Sequence, residues 1–191
     1  EDGLLQEAEP LWRRSLAIRE KALGPDHPDV AEGLNGLAAY YEKLGRDAEA
    51  VTFYDRLLAV REKSLGPEHP QVATVLDTLA RLHYYQRQEA QAEPLWRRSL
   101  AIREKALGPY HSDVAANLHD LALVLQVQGK YAEAEPLWRR LLAVQEKSLG
   151  PDHADVARTL GLLAVLCRAT QRQKEAEALE ARATRIQSIK R

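Results

Sequence analysis

Histidine, a common zinc ligand and proton carrier, recurs at four evenly spaced positions of this sequence. The four are His27, His69, His111 and His153, each 42 residues from the next. A zinc site needs its ligands within about 2.1 Å of one ion. Equivalent residues of stacked repeats lie apart along the array, so the spacing predicts no metal site. Each histidine closely follows a Gly-Pro pair and precedes a polar first turn, which is typical of a helix start.

Three Trp-Arg-Arg triplets combine aromatic and basic side chains, which are the groups that bind single-stranded nucleic acids. They begin at Trp12, Trp96 and Trp138. The chain has 27 Lys and Arg against 28 Asp and Glu, so it lacks the basic excess of a nucleic-acid-binding protein. A glutamate stands four residues before the first arginine of each triplet, which is the order that stabilises a helix. The triplets therefore predict helix packing and not nucleic-acid binding.

The remaining reactive residues do not form a recognisable active site. Cys167 is the single cysteine, which excludes an intrachain disulfide, and it occupies the same repeat position as Tyr41 and His83, on the side predicted to be buried. The sequence contains no Gly-rich phosphate loop, Ser-His-Asp set or paired catalytic carboxylates. No apolar run approaches the roughly 20 residues that span a bilayer. We predict a cytoplasmic protein with no catalytic activity, metal or cofactor and no membrane segment.

The positions of these residues follow from an internal repeat of 42 residues. Residues 8–25 and 92–109 are identical, and weaker copies stand between and after them. A Gly-Pro pair closes each copy, where glycine ends a helix easily and proline does not continue one. Between these pairs the apolar residues follow the three-to-four spacing of helices. Each repeat is therefore predicted to be a helical hairpin with a first helix of about 17 residues and a longer second helix.

Small and aromatic residues recur at fixed places in the hairpins and indicate a family. They are Ala38, Ala80, Ala122 and Ala164 in the first helices, Ala50, Ala92, Ala134 and Ala176 in the second, and Tyr54, Trp96 and Trp138 four residues later. This pattern resembles the tetratricopeptide repeat, with Glu62, Glu104 and Glu146 in place of the helix-ending proline. The segments LAIREKALGPDHPDV and YAEAEPLWRRLLAV are similar to repeats of kinesin light chains and their bacterial relatives. The resemblance implies an all-α, right-handed superhelical solenoid of tetratricopeptide hairpins.

The period predicts where each repeat begins and ends within a single repeat domain, 1–191. Residues 4–23 are predicted to be the second helix of a truncated repeat, so further repeats are expected before residue 1. In the last repeat Glu180 and Ala183 replace larger apolar residues, which is typical of a capping helix. The full repeats are predicted at 27–65, 69–107, 111–149 and 153–189.

The first helices differ more between repeats than the second helices do, and in the resembled family they line a concave groove. We expect an extended peptide there. Asn35 and Asp77 are predicted to form hydrogen bonds with the peptide backbone. Arg81, Arg158 and Arg168 are predicted to bind its acidic groups. Tyr84 or Tyr85 is predicted to hold an apolar side chain. The predicted site residues are Asn35, Asp77, Arg81, Tyr84, Tyr85, His119, Arg158 and Arg168.

The function predicted from the sequence is a non-catalytic module that binds a protein or peptide in this groove. Three alternatives stay open. The first is a structural scaffold that self-associates through the solenoid ends. The second is the sensor arm of a larger multidomain protein of the NTPase type. The third is an engineered consensus array, which Cys167 and the irregular first helices disfavour.

Overall fold

The structure is a computed structural model that describes residues 2–189 of the 191-residue chain, with side chains described within residues 9–188. Over these residues the chain forms nine α-helices and no strand, which confirms the all-α prediction. None of the described helices is long and apolar enough to cross a membrane. The helices are α1 (Asp2–Leu23), α2 (Pro28–Lys43), α3 (Asp47–Leu65), α4 (Pro70–Tyr85), α5 (Glu89–Leu107), α6 (Ser112–Val127), α7 (Tyr131–Leu149), α8 (Ala154–Ala169) and α9 (Gln173–Ile189).

The chain divides into two compact units, Glu1–Gln88 and Glu89–Arg191. In the first unit α2 packs against both α1 and α3, and α3 packs against α4. In the second unit each helix from α5 to α9 packs against the next one along the chain. The even-numbered helices have 16 residues, and α3, α5 and α7 have 19, so first helices are shorter than second helices. The predicted extents of the repeats, and their grouping into one domain, stay predictions.

The recurrent histidines start the first helices. In each case Nδ1 of the histidine accepts a hydrogen bond from the backbone N–H two residues later, at 3.1–3.2 Å. The first amides of a helix have no partner within it, so this imidazole replaces the side-chain oxygen that usually caps a helix. Among the described side chains, no group of three His, Cys, Asp or Glu comes together to hold a metal ion. The repeat spacing of histidine therefore reflects helix capping.

We expect His153→Ala to lower the free energy of unfolding by about 1 kcal/mol, because the amide of Asp155 loses its capping acceptor. His153→Asn keeps a side-chain acceptor at the helix start and is expected to retain most of the stability. Urea unfolding followed by circular dichroism measures both variants. Equal stability of the alanine and asparagine variants would show that the imidazole does not cap α8.

Each unit is held together by small residues at the helix crossings and by large residues beside them. Ala38 and Ala50 are fully buried where α2 and α3 meet, and Trp138 is fully buried between α6 and α7. Trp12 occupies the repeat position of Trp138 but is 44% exposed. Its ring lies so close to Gly36 that a Cβ atom there would stand 2.1 Å from the ring. Position 36 therefore needs glycine, because any side chain would displace Trp12.

The glutamates that replace the helix-ending proline of the repeat form ion pairs between second helices. Glu104 on α5 pairs with Arg140 on α7, and Glu146 on α7 pairs with Arg182 on α9. In the first unit Glu20 on α1 pairs with Arg56 on α3. A proline would end the helix and remove this carboxylate. Within each unit, the longer second helices thus carry ion pairs that join α1 to α3, α5 to α7 and α7 to α9.

A second set of ion pairs joins the starts of successive second helices. Glu135 accepts hydrogen bonds from Arg139, one turn later on α7, and from Arg172, which precedes α9. The hydrogen bond from Arg172 is the main cause that lowers the pKa of Glu135 below its ordinary value, and Arg139 adds to it. The same arrangement joins Glu9, Arg13, Arg46 and Glu49 in the first unit and Glu93, Arg97, Lys130 and Glu133 in the second. The first arginine of each Trp-Arg-Arg triplet therefore serves helix packing.

A carboxylate whose folded pKa is lowered contributes stability above its unfolded pKa and loses it as the pH falls through the folded pKa. We therefore expect Glu135→Gln to be less stable than the parent at pH 7 by about 1 kcal/mol. The difference should shrink as the pH falls below the ordinary glutamate pKa of about 4.3 and through the lowered pKa of Glu135 in the folded parent. Glu177→Gln is the matched control, because Glu177 accepts its hydrogen bond from the neutral amide of Gln173. A difference for Glu135→Gln that is constant from pH 7 to pH 3 would contradict the assignment.

Candidate functional site

All eight predicted site residues lie on first helices, and none of them is buried. Asn35 is exposed on α2, and Arg158 and Arg168 are exposed on α8. The structure brings Arg81, Tyr84 and Tyr85 together near the end of α4, whereas Asn35 lies one hairpin earlier. In the second unit it brings His119 of α6 next to Arg158 of α8, whereas Arg168 lies toward the other end of α8. The half-buried members are Asp77, Arg81, Tyr84 and His119.

In the first unit the exposed face of α4 carries two tyrosines beside an arginine that is already paired. Arg81 Nη2 lies 2.7 Å from Glu42 Oε1, and Tyr54 donates its hydroxyl hydrogen to Glu42 Oε2 at 3.1 Å. Burial is the main cause that raises the pKa of Tyr54 to about 12, so this hydroxyl stays a donor at neutral pH. The Arg81 guanidinium stands 6.0 Å from the ring centre of Tyr85. Glu42 therefore balances the charge of Arg81 and holds it beside the tyrosines.

Glu42 belongs to a contact that recurs inside the hairpins between residues twelve apart. In the α6–α7 hairpin, the indole N–H of Trp138 donates to Gln126 Oε1 at 2.9 Å. In the α8–α9 hairpin, Arg168 Nη2 donates to Glu180 Oε2 at 2.6 Å. Arg168, predicted to bind the acidic groups of a ligand, is thus also linked through its guanidinium to the second helix of its own hairpin. The sequence contains a partial signal for this link, because the one arginine at the first position, Arg168, coincides with the one glutamate at the second, Glu180.

A cavity of about 320 Å³ opens between α6, α7 and α8 in the second unit. His119 Nδ1 lies 3.1 Å from Asp120 Oδ1, and Arg158 Nη1 lies 3.2 Å from Asp155 Oδ1. The edge of the His119 ring faces Trp138, with ring centres 5.3 Å apart, so the core fixes one wall of the cavity. The polar lining consists of His119, Asp120, Gln145, Asp155 and Arg158.

Gln145 of α7 also lines this cavity, although it is not among the predicted site residues. A second cavity, of about 430 Å³, occupies the same repeat position between α1 and α2, where Arg19 replaces Gln145 and Glu32 replaces Arg158. In this pair of positions, the cation therefore comes from the second helix in the first unit and from the first helix in the second unit. The signal that points to Gln145 is the arginine at the same position of α1, α3 and α5, which precede a first helix as α7 does.

The first helices also expose apolar side chains away from the helix starts. Tyr85 is 64% exposed, and Val127 and Val165 are 50% and 51% exposed. These three residues follow the same stripe as the predicted site residues on α4, α6 and α8. The exposed charges of the second helices are different, since many of them pair with one another between repeats. The first helices α4, α6 and α8 therefore carry open apolar groups beside polar ones, although second helices such as α1 also expose apolar side chains.

The tetratricopeptide repeat profile matches residues 1–63, 29–105 and 113–188, which together cover most of the chain. Nephrocystin-3 of Xenopus laevis and of Homo sapiens is 46% identical over 52 residues. That segment is 27% of this chain and 4% of nephrocystin-3, so the chain spans a small part of these relatives.

Two solved structures resemble the chain over nearly its whole length. A putative kinesin light chain of Podosopora anserina with nearly identical repeats is 30% identical, with a TM-score of 0.82, and the match covers 100% of this chain and 90% of the other. BtubC (BKLC) of P. vanneervenii is 26% identical, with a TM-score of 0.81, over 98% of this chain and 75% of the other. The likeness therefore extends from the repeat sequence to the backbone.

Proposed function

The chain belongs to the tetratricopeptide repeat family, with repeats of the kinesin-light-chain type, and we propose that it is a non-catalytic module that binds an extended partner segment on its first helices. Tetratricopeptide repeats generally mediate protein interactions. The observation that carries the proposal is the exposure of Tyr85, Val127 and Val165 along the first helices. Interfaces of this kind centre on aromatic and apolar anchors that a polar rim surrounds.

Each unit offers its own set of groups to a bound segment. In the first unit Tyr85 supplies an apolar anchor, and Asn35 and Asp77 stand on the same helix face to bond the backbone of the segment. In the second unit Val127 and Val165 supply the apolar contacts, and the cavity at His119 receives a side chain. An extended segment suits such a surface because its alternate side chains reach pockets while its backbone stays free to hydrogen-bond. Arg81 and Arg168 contribute mainly by holding the helices, since carboxylates of the chain already engage them.

The proposal includes a cytoplasmic location. The buried thiol of Cys167 is the single cysteine, and a fold without disulfides suits a reducing compartment.

A selection of displayed random peptides against the chain tests the proposed function. We expect one motif to be enriched and the enrichment to be lost with a Tyr85→Ala/Val165→Ala variant, because both side chains are exposed and their removal leaves the core intact. The matched control is Tyr110→Ala, another exposed tyrosine, which lies in the loop before α6. No enrichment, or enrichment that the double variant retains, would refute binding on the first helices.

Self-association is the second candidate, because α1 exposes Leu11, Trp12 and Ile18 on its surface. Three large apolar side chains on one helix form the kind of patch that protein contacts cover. Sedimentation velocity over a range of concentrations separates the two candidates. A concentration-dependent mass that falls to the monomer value in a Leu11→Ser/Ile18→Ser variant would support the scaffold, and a constant monomer mass would dismiss it.

A further inference from the structure

Four of the described second helices precede a first helix, and at one position they carry an arginine in three copies and a glutamine in the fourth; α9 also has a glutamine there, Gln187. The arginines are Arg19, Arg61 and Arg103, and the glutamine is Gln145. Each arginine donates from Nη1 to a backbone carbonyl oxygen in the first turn of the next first helix. The three distances are 3.0 Å to Asp29, 3.2 Å to Gln71 and 3.2 Å to Asp113. The repeat therefore contains a built position for a guanidinium group.

At the fourth copy this position holds no cation from α7. The neutral Gln145 is shorter than arginine, and its Oε1 accepts a hydrogen bond from Thr159 Oγ at 2.7 Å. Asp155 is the residue that corresponds to Asp29, Gln71 and Asp113. It lines the cavity of about 320 Å³ together with Gln145, Asp120 and Leu141. Asp155, whose counterparts supply the carbonyl acceptor in the other three copies, thus lies here beside open space.

We propose that this cavity binds the guanidinium group of an arginine side chain from the partner, in the place that the chain's own arginine takes in the other repeats. The inference rests on the proposed function and names one residue of the bound segment. Arginine has five N–H donors in a planar fork, which suits the carbonyl and carboxylate oxygens of Asp155 and the carboxylate of Asp120. Its methylene groups pack against Leu141 and Ala115 in the cavity wall.

The two basic groups of the lining leave room for this cation. Arg158 pairs with Asp155, but its side chain is 72% exposed, so it moves into solvent at little cost. His119 faces Asp120, and its ring is held by the edge contact with Trp138. Two carboxylates, of Asp120 and Asp155, and one guanidinium, of Arg158, line the cavity, so acidic groups outnumber guanidinium groups there. A bound anion would instead meet both carboxylates.

Titration of the whole chain with N-acetylarginine methylamide, followed by NMR of the backbone amides, tests the proposal. We expect saturable shifts at Ala115, Gln145 and Asp155. N-acetylcitrulline methylamide, which has the same shape without the charge, should cause none. Gln145→Arg returns the repeat's own guanidinium to the site and is expected to abolish the shifts. Gln187→Arg adds the same charge on the exposed face of α9 and should leave them unchanged. Asp155→Asn is expected to weaken binding about tenfold, which is 1.4 kcal/mol.

Each other outcome has a defined meaning. Equal shifts with citrulline, or stronger binding of N-acetylglutamate methylamide, would overturn the proposal, and the second result would assign the cavity to carboxylates. If Gln145→Arg fails to fold, as judged by circular dichroism, Asp155→Asn and the citrulline comparison decide. A positive arginine titration without any selected peptide would refute the proposed function and retain the cation site. Selected peptides that lack arginine and bind the Gln145→Arg variant normally would refute the cation site and retain the proposed function.

Discussion

Trp138→Ala is expected to lower the free energy of unfolding by about 3–5 kcal/mol. The indole is fully buried between α6 and α7, so its removal leaves a cavity that the small residues nearby cannot fill. Its N–H is also the donor to Gln126 Oε1, and the loss leaves that half-buried amide without this partner. The effect is large because a folded protein is usually stable by only 5–15 kcal/mol in all.

Trp12→Ala is the matched control, because Trp12 occupies the same repeat position and is 44% exposed. Its loss is expected to lower the free energy of unfolding by about 1 kcal/mol, since Trp12 buries less apolar area than Trp138 does. Urea unfolding followed by far-ultraviolet circular dichroism compares the two variants without relying on tryptophan emission. Hydrogen exchange should become faster in α6 and α7 for Trp138→Ala. Equal costs for the two substitutions would mean that burial at this position does not set the stability.

The helical hairpins were predictable because each depends on residues near one another in the sequence. Apolar spacing, Gly66 and Gly150 at helix ends, and the histidine before each first helix all act within one or two turns. These local signals recur every 42 residues, so each copy confirms the others. The division of the chain into helices therefore required no knowledge of tertiary contacts.

The ion pairs between repeats were harder to predict because they depend on the distance at which helices pack. Glu146 and Arg182 are 36 residues apart in the sequence, and the sequence alone does not show that they meet. The absence of the usual proline at position 146 indicated a longer helix but not the reason for it. The structure supplies that reason, since the carboxylate reaches the next second helix.

The residues of the predicted groove lie unburied on the first helices, and their role in binding stays a prediction, but the ion pairs of its charged groups were not predictable. Arg81 and Arg168 looked available in the sequence, and the structure pairs them with Glu42 and Glu180. Both carboxylates belong to helices whose orientation had to be known first. Gln145 was not predicted for a related reason, because the open cavity beside this shorter side chain is visible only in the packed helices. A cavity is a property of the packed structure and leaves only an irregular residue in the sequence.

Tyr85→Ala is expected to weaken the binding of a selected peptide about 30-fold, which corresponds to about 2 kcal/mol. Tyr85 is the most exposed aromatic residue of the described first helices. Arg81 stands over one side of it and Tyr84 beside it, so the ring loses little freedom on binding. Fluorescence polarisation of a labelled peptide at one fixed salt concentration measures the affinity.

Two controls separate the anchor from general effects on the protein. Tyr110 lies in the loop before α6, and Nζ of Lys147 stands 3.6 Å from the centre of its ring. Tyr110→Ala removes an equally large ring, and we expect the peptide affinity to stay within about twofold. Tyr85→Phe keeps the ring and removes the hydroxyl, so near-parent affinity would show that apolar contact provides the binding energy. If Tyr85→Ala binds like the parent while a Gln145→Arg variant does not, the bound segment occupies the second unit alone. If both Tyr85→Ala and Gln145→Arg bind like the parent, the first helices do not form the binding surface, because its exposed anchor and its open cavity would both be dispensable.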